Sequence, residues 1–236
     1  MKLFKHPTHG LLAGCLWLVA TNLAAAPLTF SQSEYTAFAT AELDANIDGP
    51  FALSSPPGSL PLIANASLST LPNSSFAVGI ANMGQLVAST QAFSLGASSA
   101  GVAGAGFSGQ FIGTGQAVNF GVDFSSFNNV VNGAANSQLF ITLVSDGTTL
   151  FDKILSSSQT VNESYLLSQG STNLFDIQLI SNANALGGLD AALGFNLASA
   201  AFNVSAVPEP NVAWLMLAGM GMVGLVRRKA TRAAIG

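Results

Sequence analysis

Between residues 26 and 206 the sequence has no cysteine, no histidine, no arginine and no tryptophan. Each absence removes a chemistry. Without histidine there is no Ser-His-Asp triad. Without histidine or cysteine there is no ordinary zinc, copper or haem site. Without arginine there is no bidentate clamp for phosphate or carboxylate. Without cysteine no disulfide closes the chain, so burial alone, or burial with a hard cation, must stabilise it. Charge is scarce as well. Only 8% of the 236 residues are charged, against about 25% in an ordinary soluble chain. The balance is acidic, with a net charge of -4, which excludes the basic surface that nucleic acid requires.

What remains is apolar or small. Hydrophobic residues make up 49% of the chain, with 16 Phe and 24 Gly. Mean hydropathy is +0.48, so charge-driven disorder is excluded. Residues 26–206 keep ten carboxylates and one basic side chain, Lys153, for a formal charge of -9. Glycoside hydrolysis needs two acids about 5–9.5 Å apart, and Asp123 with Asp176 is the most obvious pair. Solvated acids on strand faces and turns account for these residues more simply. No catalytic residue is assigned, and the expectation is a protein that is not an enzyme.

The two ends differ from the middle. Residues 1–25 read as a signal peptide: Lys2 and Lys5, the apolar Leu11–Leu23, then Ala24 and Ala25, with cleavage before Ala26. Cys15 lies inside the apolar run and reads as an ordinary residue of it. The other end has three parts. Val207-Pro208-Glu209-Pro210 comes first, then the apolar run Val212–Val226, then Arg227-Arg228-Lys229. The two prolines hold the chain extended. As a helix the run covers roughly 23 Å. That is short for a hydrocarbon core of about 30 Å, a deficit that snorkelling arginines and local thinning can meet. The basic cluster marks the cytoplasmic side.

Those residues resemble the PEP-CTERM sorting signal, here 207–232. The resemblance implies an exported chain from a Gram-negative bacterium that makes exopolysaccharide. It implies anchorage in the inner membrane through 212–226 and cleavage near the Pro-Glu-Pro by an exosortase-like membrane protease. Delivery to the cell surface or a biofilm matrix follows, with exopolysaccharide as a partner. It says nothing directly of residues 26–206.

Those residues read as an all-β domain. Val118, Phe120, Val122 and Phe124 alternate with Asn119, Gly121 and Asp123, the pattern of a half-buried strand. Leu139–Val144 reads as a central strand, joined through Asp146-Gly147 to Leu150–Leu155 in a hairpin. Leu174–Ile180 and Ala201–Val207 are further strands, as are Leu28–Phe38, Ser75–Ile80 and Phe107–Ile112. Pro56-Pro57-Gly58 breaks the chain. Gly96–Gly106 reads as a loop or a small-residue strand edge, Asn128–Ser137 as a loop, and Ala183–Leu193 as a candidate short helix. Many short strands with Gly, Asn and Ser turns predict an antiparallel β-sandwich, jelly-roll-like in arrangement. An outer-membrane barrel is the runner-up, disfavoured by short strands.

One segment suggests a cation. Asp44-Ala45-Asn46-Ile47-Asp48-Gly49 matches the opening of an EF-hand loop, D-x-N-x-D-G. Asp44, Asn46 and Asp48 are therefore candidate calcium ligands. Position twelve is Ser55 rather than a bidentate Glu, and a pair of Asx turns explains the same residues. The functional expectation is a non-enzymatic surface or matrix protein without cofactor. The alternative is a carbohydrate- or calcium-binding module.

Overall fold

The computed structural model describes residues 26–207 except Leu189. The predicted signal peptide, 1–25, lies outside the described residues. So do Pro208, Glu209, Pro210, the 212–226 run and Arg227, Arg228 and Lys229. Among the described residues no helix is long and apolar enough to cross a membrane.

Alternating patterns become strands throughout. In chain order they are β1 (Ala26–Pro27), β2 (Gln32–Leu43), β3 (Asn46–Ser55), β4 (Leu62–Thr70), β5 (Asn73–Asn82), β6 (Gln85–Ser94), β7 (Ser99–Ile112), β8 (Ala117–Val131), β9 (Gly133–Ser145), β10 (Thr148–Leu155), β11 (Gln159–Leu166), β12 (Thr172–Ala185) and β13 (Ala192–Ala206). A 3-10 turn, Pro57–Ser59, separates β3 from β4. Sheet 1 has the order β11-β8-β13-β6-β5-β4, and sheet 2 the order β10-β9-β12-β7-β2-β3. The register-resolved ladders are antiparallel. The two sheets pack face to face around one main core, as the alternation predicts.

Side-chain size grades along that core. Toward one end Phe107 meets Tyr35 at 4.8 Å, Phe202 at 4.9 Å and Phe30 at 5.1 Å between ring centres. Phe120 and Phe175 join the group at 5.2 Å. A second, smaller cluster is made of alanine alone: Ala92, Ala183, Ala185 and Ala192. Beside it, Thr90 of sheet 1 and Ser181 of sheet 2 share a buried hydrogen bond of 2.9 Å. Small side chains let the sheets approach. A Cβ on Gly79 of β5 would lie 2.1 Å from the Gly104 carbonyl oxygen of β7 and 2.6 Å from that of Phe38. Backbone therefore meets backbone there, with no side chain between.

Three expectations need correction. Gly96–Gly106 is largely neither loop nor edge: from Ser99 it forms β7, held between β12 and β2 in the interior of sheet 2. Its glycines and alanines match the close approach of β5 rather than flexibility. Asn128–Ser137 is not a loop either. It comprises the ends of β8 and β9, joined at Asn132, whose φ of 50° asparagine tolerates. Among the described residues of Ala183–Leu193 there is no helix; they form the end of β12, a connection, and the start of β13. The Asp146-Gly147 hairpin forms as expected, with φ of 48° and 78° and Ser145 opposite Thr148.

Lys153 lies on β10, an edge strand. A charged side chain there disfavours pairing with a foreign strand.

Candidate functional site

The calcium candidates sit at the β2–β3 hairpin. Leu43 faces Asn46, and Asp44 adopts a φ of 53° in the two-residue turn. The Asp44 carboxylate accepts the Ser98 N–H at 3.0 Å, while its own N–H donates to the Ser98 carbonyl at 2.8 Å. Asp48, further along β3, accepts the Ser67 N–H of β4 at 2.8 Å. Both carboxylates thus serve backbone donors, and Asp48 links the edge of one sheet to the edge of the other. Among the described residues no three His, Cys, Asp or Glu side chains group as metal ligands.

Asp123 and Asp176 are not brought together. Val122 and Phe124 point inward on β8, so Asp123 faces out from sheet 1. Phe175 and Ile177 point inward on β12, so Asp176 faces out from sheet 2. The Asp123 carboxylate accepts the Thr160 hydroxyl of β11 at 2.6 Å.

Strand register assembles a different group. On the outer face of sheet 2, Glu34 of β2 lies opposite Ser108 of β7, and Ser108 opposite Asp176 of β12. Asp176 lies opposite Thr142 of β9, and Thr142 opposite Asp152 of β10. Carboxylate and hydroxyl alternate across five strands. With strands about 4.8 Å apart, the carboxylates recur at about 9.6 Å. The Ser54 hydroxyl donates to Glu34, and that of Thr142 to Asp152 at 3.4 Å. A hollow of about 530 Å³ lies over one end of the row, lined by Gln32, Glu34, Ser54, Ser108, Gln110 and Leu174 among others. No single segment carries this signal. The five residues come from five strands, and nothing within any one strand pairs it with the others.

Burial raises the Asp176 carboxyl above its ordinary value of 3.8, and a hydrogen bond with Ser108 offsets part of that rise. The folded state then holds its proton more tightly than the unfolded chain. Stability falls as pH rises from 3.8 through the raised value, and the cost persists above it. Asp176→Asn is expected to raise the unfolding midpoint at pH 7 by about 2 °C. The gain should vanish below pH 3.8. Melting curves of both proteins across pH 3–7 check this, and an equal midpoint at pH 7 would contradict it.

The described residues define a two-sheet antiparallel β domain with a polar strip across one outer face. The chain carries, over residues 206–230, the PEP-CTERM protein-sorting motif. That motif implies an exported protein, processed at a membrane by exosortase and directed to the cell surface. No curated protein matches the sequence. Among solved structures, TmCBM61 in complex with β-1,4-galactotriose is 10% identical with a TM-score of 0.21, covering 52% of this chain and 82% of that one. The N-terminal cellulose-binding domain of β-1,4-glucanase C from Cellulomonas fimi is 13% identical with a TM-score of 0.29, covering 61% and 90%. Likenesses at these scores carry no argument about ligand or activity.

Proposed function

We propose that this chain is a non-enzymatic cell-surface or extracellular-matrix protein that associates with exopolysaccharide. Residues 1–25 lead it out, 212–226 hold it transiently in the inner membrane with Arg227, Arg228 and Lys229 on the cytoplasmic side, and an exosortase-like protease cuts near Val207-Pro208-Glu209-Pro210. The sorting motif at 206–230 carries this reading. The separation of Asp123 from Asp176 onto opposite outer faces supports a role without catalysis.

The fold constrains the cut. β13 ends at Ala206, and it pairs with β6 along Ala192–Ala201 inside sheet 1. Cleavage well before Ala206 would strip an interior strand. Mass spectrometry of the released protein is expected to show a chain beginning at Ala26 and ending after Ala206, without Val212–Val226. A released chain that still carries Val212–Val226 would overturn the proposal.

A second reading rests on the hollow in sheet 2. Its amides, hydroxyls and carboxylate match the donors and acceptors of sugar hydroxyls, and Leu174 supplies an apolar wall. In this reading the strip binds neutral polysaccharide. Titration calorimetry with the host's polysaccharide should give heat, and Glu34→Ala should weaken binding about tenfold. No heat ends this reading. Calcium at Asp44, Asn46 and Asp48 belongs to it as well, and the ion would have to displace the Ser98 and Ser67 N–H groups. Absence of heat on calcium titration ends that part.

A further inference from the structure

A second hollow, of about 290 Å³, lies on the outer face of sheet 1. Three neighbouring strands build it: β11, β8 and β13. Gly121 of β8 lies opposite Asn162 of β11, and Asn119 opposite Ser164. Asn203 and Ser205 of β13 close the other side. Asn162-Glu163-Ser164 and Asn203-Val204-Ser205 share one pattern, and the two-residue period of a strand turns both polar ends of each toward the hollow. Phe120 and Glu163, opposite one another on its border, alternate toward the inner face. The rows on either side are Leu166–Ala117 and Thr160–Asp123, and the Asp123 carboxylate accepts the Thr160 hydroxyl. Among the described residues, the side chains turned into the hollow are therefore three amides and two hydroxyls around the bare backbone of Gly121.

Nothing in the packing requires that glycine. Its φ lies outside the left-handed region. Among the described residues, an added Cβ would meet the Asn162 Oδ1 at 3.2 Å and no backbone of another strand. At Gly79, Gly101, Gly133 and Gly194 the added carbon would strike backbone at 2.8 Å or less. Those glycines let strands meet, whereas Gly121 keeps a hollow open. A glycine inside a strand marks the close approach of a backbone or a ligand, and here no backbone approaches.

We propose that this hollow binds one pyranose ring of a neutral sugar. Its chemistry selects that class. The side chains turned into it are uncharged, so neither a phosphate nor a cation meets a counter-charge there. No aromatic ring faces into it, so a planar base has nothing to stack on. The floor strand β8 is paired on both sides, so it offers no free edge to an extended peptide. A neutral, hydroxyl-rich ligand remains. Each carboxamide sets a donor beside an acceptor, which matches two adjacent hydroxyls of a sugar ring, and each serine hydroxyl both donates and accepts. The bare Gly121 lets the ring lie against the strand. Ser205 is only 9% exposed, so its position is fixed before a ligand arrives and little ordering opposes binding. Ligand pockets begin at about 300 Å³, so the hollow takes a single ring. This site adds to the polysaccharide association proposed above and does not depend on the hollow in sheet 2, which lies on the opposite outer face.

Side-chain amide signals in nuclear magnetic resonance test the proposal. The full chain is labelled with isotope-enriched asparagine and held in a detergent that carries no sugar. The signals of Asn119, Asn162 and Asn203 are assigned by their loss in the three alanine variants. Glucose, galactose, mannose and N-acetylglucosamine are then titrated separately into the millimolar range. At least one of them should move all three signals to saturation, while glycerol at the same concentration should not. Gly121→Val fills the floor of the hollow with a good strand former. It should weaken that binding about tenfold or more without lowering the unfolding midpoint. Asn203→Ala trims one exposed side chain and should weaken binding about fivefold or more, read from the other two signals. If Gly121→Val fails to fold, Asn203→Ala decides alone. All three signals belong to sheet 1, so the result stands apart from the calorimetric test of Glu34→Ala in sheet 2. The proposal is overturned if none of the four sugars moves the signals, if glycerol moves them as far, or if a folded variant falls short of its stated loss.

Discussion

Gly79→Ala is expected to destabilise the domain by about 3 kcal/mol or more, the upper end of what an added methyl costs in a packed interior. The added carbon would sit 2.1 Å from the Gly104 oxygen and 2.6 Å from the Phe38 oxygen. Both are backbone atoms of the opposite sheet, so no side chain can rotate aside. Relief requires β5 to move away from β7 and β2, which opens the interface around Ala37, Ala39, Ala77, Ala81, Ala103 and Ala105, all buried. At 2–4 °C per kcal/mol for a domain of this size, the unfolding midpoint should drop by about 6–12 °C. Gly58→Ala is the control, because nothing lies within 4 Å of its added carbon. It should shift stability by less than about 0.5 kcal/mol. Equal melting of the two variants would show that the sheets do not meet at Gly79.

Phe175→Ala should cost about 3–5 kcal/mol, lowering the midpoint by about 6–20 °C. Phe175 is fully buried on β12 and its ring faces Phe120 at 5.2 Å, Phe202 at 6.1 Å and Phe107 at 6.3 Å. Those partners come from β8, β13 and β7, so the ring joins both sheets. Removing it loses the transfer energy of the ring and leaves a cavity that four rigid strands cannot close. Phe175→Leu keeps most of the volume and should lose less than half as much. A midpoint for Phe175→Ala within about 2 °C of the parent would contradict the packing.

Much of the strand content was legible because a half-buried strand writes its two faces into alternate residues. Val118–Phe124 shows this directly: the apolar residues of the alternation, Val118, Phe120, Val122 and Phe124, are the buried ones. The Asp146-Gly147 turn was legible for a local reason, since its backbone needs positive φ. Gly96–Gly106 was misread because small residues look the same whether they form a flexible loop or admit a neighbouring backbone. The difference lies in β5, whose Gly79 meets Gly104 from 25 residues away in sequence. Asn128–Ser137 was misread because its asparagines pair across strands, Asn136 with Asn182 and Asn128 with Asn196. Composition alone resembles a loop.

The candidate sites divide in the same way. The sorting motif was readable from sequence because extended prolines, an apolar run and a basic cluster act in linear order. The carboxylate strip was not, because Glu34, Asp152 and Asp176 become neighbours through the strand order of sheet 2 alone. The outer face of β4, β5, β6 and β13 is intermediate. Its lack of charge is visible in sequence, yet only the register shows which of its Ile, Val, Phe, Ser, Asn and Gln side chains lie beside one another. By itself, then, the sequence determined the β character of the domain, its missing chemistries and its destination, since each is a local or compositional property. Tertiary structure alone decided which outward residues share one face, because that depends on which strands are neighbours and in what register.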